Sequence, residues 1–242
     1  AQSGEYPGVT YGTGGLATQK AFEEAFCRLE NGHTTKAFPS GISAIINTFM
    51  TFTQGGDEIL LCDNVYGPTA RFCHKVLAKY GVKITSIASD VGGEIESQIT
   101  DKTKLIFLES PGSNTFEIQD IRAITKIASE RNIITVIDNT WATPLHLKPL
   151  DLGVDVSIHS ATKYICGYSD LLMGVATVNK KYAATFDAFY HSLENYTNPH
   201  DCYLALRGLR TLEVLFIVKQ KTAYEIARWL EGHELVDKVI HP

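Results

Sequence analysis

The sequence lacks the features that mark membrane, secreted and nucleic-acid-binding proteins. No apolar run reaches the roughly 18 residues of a membrane span, and Ala1–Thr10 has no signal-peptide apolar region. The 27 Asp and Glu residues outnumber the 22 Lys and Arg residues, whereas nucleic-acid binding needs a basic patch. We therefore expect neither a membrane nor a nucleic acid as a partner.

Patterns that bind metals and dinucleotides are also missing. The five cysteines are odd in number and scattered, so neither a zinc site nor a disulfide framework is predicted, and a reducing cytoplasm is the default compartment. None of the eight histidines lies in an H-E-x-x-H spacing, and no G-x-G-x-x-G follows a strand and opens a helix. We expect no metal site and no dinucleotide site.

The 242 residues are enough to bury a large core. Position 1 is not Met, and the chain stops at His241-Pro242 just after a helix-like segment, so we expect a fragment of a longer polypeptide. The predicted parts are an N-terminal arm with a first helix (1–35), an α/β domain (36–210), and a linker helix with the start of a C-terminal domain (211–242).

Strand and helix patterns alternate from about residue 36 to residue 178, which predicts a mainly parallel sheet covered by helices on both faces. The β-branched run Ile133–Ile137 is typical of a strand buried on both faces. From Tyr182 onward the pattern is helical, with a break near Gly208. Strands are predicted at 36–39, 58–62, 83–88, 104–108, 133–137, 154–159 and 174–178, and earlier helices at about 18–30, 40–52, 66–80 and 120–131.

Ligands of such sheets lie beyond the carboxyl ends of the strands, and one strand end carries Ser160-Ala161-Thr162-Lys163-Tyr164. A strand fixes this lysine on a rigid element, and neighbouring hydroxyls suit a phosphate. We interpret Lys163 as a Schiff-base lysine that holds pyridoxal phosphate. From its position alone, a surface lysine is the better interpretation, so the hypothesis depends on partners for the cofactor's ring and phosphate.

Asp138 closes the apolar run Ile133–Ile137. A carboxylate there is costly without a positive partner, and a protonated pyridine nitrogen is such a partner. An Asx turn with Asn139 and Thr140 is an equally good interpretation.

Three further positions offer cofactor contacts. Backbone N–H groups of Gly41 and Ile42 at a predicted helix start form an anion site, to which Ser160 and Thr162 add hydroxyls, although a simple Ser40 N-cap is commoner. Tyr66 could stack on the ring, although packing on the sheet edge is the better interpretation of it alone. Tyr11 could hydrogen-bond at the site, and His159 is interpreted as structural.

These residues together resemble the pyridoxal-phosphate enzymes of Cys/Met metabolism, a family that includes cystathionine β-lyase, cystathionine γ-lyase, cystathionine γ-synthase and methionine γ-lyase. The similarity is centred on the lysine segment Asp155–Ser169 and extends from Tyr11-Gly12 to His241-Pro242. The other motifs that carry it are Phe38–Gly41, Val65–Thr69, Leu108–Ser113, Asp138–Pro144 and Leu206–Leu212.

The resemblance implies a fold-type I, aspartate aminotransferase-like α/β domain that binds pyridoxal phosphate. It implies catalytic roles for Lys163, Tyr66 and Tyr11, with Tyr11 supplied by a neighbouring subunit of a homo-oligomer (a dimer of dimers). Thr13 stands where the family usually has an arginine that reaches the neighbour's phosphate, and the arginine for the substrate carboxylate is expected beyond Pro242. The implied cofactor contacts are Lys163, Asp138, Gly41, Ile42, Tyr66, Ser160 and Thr162, and the implied substrate-side residues are Trp141 and Tyr190.

Within the family, Trp141 and the segment Ser110–Ser113 favour the cystathionine β-lyase branch. This branch implies β-elimination from an amino-acid thioether, cystathionine, to homocysteine, pyruvate and ammonia in methionine biosynthesis. The alternatives are a γ-eliminating or γ-replacing enzyme on the same scaffold, a non-catalytic interaction protein that retains the fold, and an α/β protein that binds another anion.

Overall fold

A computed structural model describes residues 11–241; residues 1–10 of the predicted N-terminal arm, and Pro242, lie outside the described residues. The described chain contains a seven-stranded sheet with the order β1-β7-β6-β5-β4-β2-β3. β7 runs antiparallel to both of its neighbours, and the other pairs are parallel. The strands are β1 Thr34–Phe38, β2 Glu58–Cys62, β3 Lys83–Ile87, β4 Thr103–Glu109, β5 Ile134–Asp138, β6 Val156–Ser160 and β7 Gly174–Val178.

Helices cover the sheet on both faces, so the α/β, mainly parallel prediction is confirmed. In β1, Ala37 packs in one buried cluster with Phe22 and Phe26, and its neighbour Phe38 packs in another with Phe49. Successive strand residues point to opposite faces, so both faces are buried. The helices are α1 Ala17–Leu29, α2 Gly41–Phe52, α3 Gly67–Lys75, α4 Ile121–Glu130, α5 Thr143–His146, α6 Ala183–Ser192, α7 Pro199–Leu209 and α8 Leu212–Glu231.

The helical boundaries differ from the sequence prediction at two places. The helix predicted over 66–80 is divided, because the chain changes after α3 to a 3₁₀ turn, Leu77–Tyr80. The C-terminal helical region is divided before α7, where Asn198 caps the helix and Pro199 occupies its first position. The break predicted near Gly208 is present at residues 210–211, between α7 and α8. Gly208 itself lies inside α7 and lets this helix approach the lysine segment, because a Cβ there would lie 2.3 Å from the Ile165 carbonyl oxygen.

Within residues 11–241, no helix combines the length and the apolar character that crossing a membrane would require.

Candidate active site

Three adjacent strands bring chemically reactive residues to one edge of the sheet. β4 ends at Glu109, β5 at Asp138 and β6 at Ser160, and Glu109 and Asp138 are Cα partners in the parallel register. Lys163 follows β6 in a tight turn, in which its backbone N–H donates to the Ser160 carbonyl oxygen at 3.0 Å. The strand-end rule therefore places these groups together, as the sequence predicted.

The N-terminus of α2 lies directly against Ser160. A Cβ on Gly41 would lie 2.9 Å from the Ser160 Cβ, and a Cβ on Gly174 would lie 2.2 Å from the Ser40 carbonyl oxygen. Ser40 also acts as the N-cap, since its hydroxyl accepts the Ser43 N–H at 3.2 Å. The N–H groups of Gly41 and Ile42 precede the first intrahelical donor, so two N–H groups lie beside the Ser160 hydroxyl in an arrangement that can hold an anion.

Asp138 is buried and oriented by its own turn. Its Oδ1 accepts two hydrogen bonds from Thr140, from the backbone N–H at 3.0 Å and from Oγ1 at 2.5 Å. Thr140 Oγ1 in turn accepts the Ser160 N–H at 2.8 Å, which ties β5 to β6. No hydrogen bond within residues 11–241 uses Oδ2, so the Asx turn is present and still leaves one carboxyl oxygen for a ligand.

Electrostatics link Lys163 to the two strand-end carboxyls. Burial raises the pKa of Asp138, whereas the Thr140 hydrogen bonds and the charges of His159 and Lys163 lower it. Burial and the charge of Asp138 raise the pKa of Glu109 to about 8, and the Lys163 ammonium again acts in the opposite direction. The side chain of Lys163 is exposed, so its amine is accessible while its charge acts on both carboxyls.

Glu109 is the site residue that the sequence reasoning did not select. Its Oε2 accepts the backbone N–H of Tyr66 at 2.7 Å. The signal was available, because Glu109 closes the buried run Leu105–Leu108 just as Asp138 closes the run before it. Tyr66 is 43% exposed, and the hydrogen bond to Glu109 holds its backbone.

The hydroxyl of Thr162 is already hydrogen-bonded to the backbone. Its Oγ1 donates to the Met173 carbonyl oxygen at 3.2 Å and accepts the Met173 N–H at 3.0 Å. A hydroxyl has only one proton to donate, so Thr162 would reach a phosphate only by giving up the Met173 carbonyl. Its predicted contact with the cofactor stays a prediction.

The residues assigned to the substrate and to a neighbouring subunit lie in different surroundings. Trp141 contacts Phe116 edge-on, with ring centroids 6.1 Å apart, and it lines a cavity of about 510 Å³ beside the site. Tyr190 is buried, and its hydroxyl donates to the Ala37 carbonyl oxygen at 3.0 Å, so its predicted substrate-side role stays a prediction. Tyr11 is 71% exposed, and its predicted role is open.

His159 occupies a structural position, as interpreted from the sequence. Both His159 and Glu30 are fully buried, and the His159 Nε2 contacts the Glu30 Oε1 directly. The Ser157 hydroxyl donates to the same Glu30 oxygen at 3.0 Å. Because Glu30 directly follows α1, this group anchors that helix to β6, the strand that leads to Lys163.

The arrangement fits pyridoxal phosphate on the features that the structure describes. An accessible amine, a buried carboxylate with one free oxygen, and a helix N-terminus beside a serine hydroxyl meet at one sheet edge. The backbone of an exposed aromatic residue is tied to the same edge through Glu109. These are the groups that the aldehyde, pyridine nitrogen, phosphate and ring face of that cofactor require.

The chain is similar to known proteins along its whole length. A family model described as Cys/Met metabolism PLP-dependent enzyme matches residues 1–242. A Rhizobium johnstonii protein named "Putative cystathionine beta-lyase" is 42% identical over 96% of this chain and 59% of its own length. A Wolbachia pipientis protein named L-alanine/L-glutamate racemase is 41% identical over 96% of this chain and 57% of its own length.

Among solved structures, cystathionine γ-lyase from Lactobacillus plantarum complexed with L-serine superposes with a TM-score of 0.94 and 33% sequence identity. It covers 97% of this chain, which spans 61% of that protein. The chain thus spans about three fifths of the length of these proteins, whose names include different activities.

Proposed function

Because the chain belongs to the family of Cys/Met metabolism PLP-dependent enzymes, we propose that it forms the cofactor-binding part of a carbon–sulfur lyase. The observation that carries the proposal is the meeting of Lys163, Asp138 and the α2 N-terminus at one edge of the sheet. The proposed reaction is β-elimination from cystathionine, in which homocysteine, pyruvate and ammonia are formed with the uptake of one water molecule.

The cofactor of the family is pyridoxal phosphate, which supplies an electron sink for the charge that develops at Cα of an amino acid. We assign Lys163 Nζ to its covalent attachment and the free Asp138 Oδ2 to its ring nitrogen. The N–H groups of Gly41 and Ile42, together with the Ser160 hydroxyl, hold the phosphate. Tyr66 covers the ring face, and Trp141 is assigned to the substrate side.

The protein's own chemical task is to move one proton and to hold one charge. With cofactor and substrate bound, Lys163 Nζ would be the general base that takes the proton from the substrate Cα, and the substrate would lose its thiolate from Cβ. With the cofactor bound, an ionised Asp138 would stabilise positive charge at the ring nitrogen, and that charge would offset the burial that raises the pKa of Asp138. The exposure of the Lys163 side chain supports this role, because its amine has to reach both the cofactor and the substrate Cα.

The names of the relatives include several reactions: β-elimination, γ-elimination and racemisation. Among these, Trp141 together with Ser110–Ser113 favours β-elimination. A γ-lyase needs a second deprotonation at Cβ, and a racemase returns the proton to Cα. Tyr11, exposed at the start of the described chain, supports an oligomer in which it serves a neighbouring subunit. We propose a dimer of dimers in a reducing cytoplasm, on the basis of family resemblance and the scattered cysteines.

Product analysis tests the activity. The full-length protein is incubated with L-cystathionine, and we expect homocysteine and pyruvate in equal amounts. Cysteine and 2-oxobutyrate would identify a γ-lyase instead. No turnover of cystathionine, together with conversion of L-alanine or L-glutamate to the D-isomers, would replace the lyase assignment by a racemase.

A further inference from the structure

Glu109 lies between two groups that the proposed function uses. In the sheet order, β4 is flanked by β5 and β2. Asp138 is the Cα partner of Glu109 on β5, and Tyr66 follows β2 on the other side. Paired positions of neighbouring strands share a face of the sheet, so Glu109 and Asp138 place two carboxyls side by side at a buried edge.

The carboxyl of Glu109 fixes the backbone of Tyr66. Glu109 Oε2 accepts the Tyr66 N–H at 2.7 Å. The backbone N–H of Glu109 donates to the Gln119 Oε1 at 3.2 Å. Tyr66 is the N-cap of α3, and its carbonyl oxygen accepts the Thr69 N–H at 2.8 Å. Within residues 11–241, the Tyr66 side chain makes no hydrogen bond or ring pair. The direction of this ring therefore depends on how Glu109 and α3 hold the backbone.

The two carboxyls differ in what stabilises their ionised forms. Asp138 accepts two hydrogen bonds from Thr140, whereas Glu109 accepts one, from Tyr66. Hydrogen bonds donated to a carboxylate favour its charged form, and two adjacent carboxylates disfavour double ionisation. Burial raises the pKa of both carboxyls, and the difference in hydrogen bonds favours the negative charge on Asp138 and the proton on Glu109.

We propose that Glu109 is a positioning residue that stays protonated beside an ionised Asp138, and that its neutral carboxyl holds the Tyr66 backbone so that the ring covers the cofactor. This inference rests on the proposed function for the ring's target, but not for the location of the proton. A neutral Glu109 leaves Asp138 as the one carboxylate of the pair, which suits a single cationic ring nitrogen.

The groups that face Glu109 account for its titration. Burial and Asp138 from β5 raise the pKa of Glu109 to about 8, while the Tyr66 N–H and Lys163, which follows β6, lower it. In an unfolded chain the pKa of a glutamate is about 4.3. The folded protein therefore binds one more proton than the unfolded chain between about pH 4.3 and pH 8, and stability falls as the pH rises through that range.

The test compares Glu109→Gln with Glu109→Ala in the full-length protein. The first variant keeps an acceptor for the Tyr66 N–H in a neutral group, and the second removes it. Titration of the cofactor-free proteins with pyridoxal phosphate, followed by visible absorbance, should give a dissociation constant for Glu109→Gln within about threefold of wild type. Glu109→Ala should bind about tenfold more weakly, the effect of one lost hydrogen bond.

Thermal unfolding of the cofactor-free proteins between pH 5 and pH 8 is the second measurement. The midpoint of wild type should fall relative to that of Glu109→Gln as the pH rises. Glu24→Gln is the matched control, because Glu24 is exposed on α1, and its midpoint should run parallel to wild type.

Two results would overturn the proposal. If Glu109→Gln binds pyridoxal phosphate as weakly as Glu109→Ala does, cofactor binding requires an ionised carboxylate at this position. A constant difference between wild type and Glu109→Gln across the pH range would mean that Glu109 is not the proton carrier. If wild type does not bind pyridoxal phosphate, the proposed function fails, and the unfolding curves still decide where the proton resides.

Discussion

Buried carboxyl groups lie at both edges of the sheet, and their surroundings have opposite effects on their pKa values. At the carboxyl ends of β4 and β5, burial outweighs the hydrogen bonds to Asp138 and Glu109 and raises both pKa values. Glu58 lies at the amino end of β2. Burial also acts to raise its pKa, but Lys83 and three threonine hydroxyls lower it to about 2. The ionised form of Glu58 is thus stabilised at the amino ends of the strands, whereas burial opposes ionisation of Asp138 and Glu109 at the carboxyl ends.

Glu58→Gln should destabilise the protein by about 2 kcal/mol at pH 7, the contribution of hydrogen bonds to a charged group. The carboxylate contacts the Lys83 Nζ at 2.6 Å and the Thr100 Oγ1 at 2.6 Å. Because the folded pKa is lowered, this stabilisation is present above about pH 4.3 and is lost as the pH falls toward 2. Urea unfolding at pH 7 measures the destabilisation by Glu58→Gln, and urea unfolding at pH 3 measures how much of that difference is lost.

Glu96→Gln is the matched control for Glu58, because it breaks an exposed ion pair with Arg131. Exposed pairs contribute about 0.5 kcal/mol, so this variant should hardly change the free energy of unfolding at either pH. An equal effect of the two variants would contradict the account of Glu58.

Single residues of the site were predictable to different degrees. Lys163 and Asp138 follow recognisable strand patterns, and the strand-end rule is sufficient to bring them together. Glu109 follows the same pattern as Asp138 but was not selected, because its partner is a backbone N–H that no sequence pattern reports. The core position of Tyr190 depends on its hydroxyl reaching Ala37, a contact between distant parts of the chain.

The contact between α2 and β6 determines the phosphate cradle at the scale of elements. Gly41→Ala should leave the fold intact, because no left-handed backbone is needed there. Its Cβ would lie 2.9 Å from the Ser160 Cβ and would push the helix N-terminus away. We expect about tenfold weaker binding of pyridoxal phosphate, or about 1.4 kcal/mol, measured by titration of the cofactor-free protein.

Gly93→Ala serves as the control for Gly41, since a Cβ on Gly93 has nothing within 4 Å. This variant should bind the cofactor as wild type does. Unchanged cofactor affinity in Gly41→Ala, with an unchanged midpoint of thermal unfolding, would remove the α2 N-terminus from the proposed phosphate site.

Elements were predicted well where hydrophobic periodicity is strong and poorly where close packing sets the boundary. The strands β2 and β5 are short apolar runs, which are typical of strands buried on both faces. The reversal of β7 is not visible in its sequence, because an apolar strand reads the same in either direction. The helix break predicted near Gly208 is present between α7 and α8, but the sequence did not show that the missing side chain of Gly208 also lets α7 approach the lysine segment.

On the scale of the whole molecule, fold and activity separate. The relatives match nearly all of this chain, yet their names include lyases and a racemase. One scaffold therefore supports several reactions, and the activity has to be argued from the site. The described residues bring a lysine, a carboxylate and a helix N-terminus together at one edge of the sheet.

The assignment of Lys163 to the cofactor is the central claim, and one measurement tests it directly. The full-length protein is loaded with pyridoxal phosphate, reduced with borohydride, digested and mapped by mass spectrometry. We predict that the visible absorbance is lost on reduction and that the cofactor mass is attached to the peptide containing Lys163, while Lys163→Ala carries no label there. Attachment to a different lysine, or no attachment in a folded protein, would contradict the account.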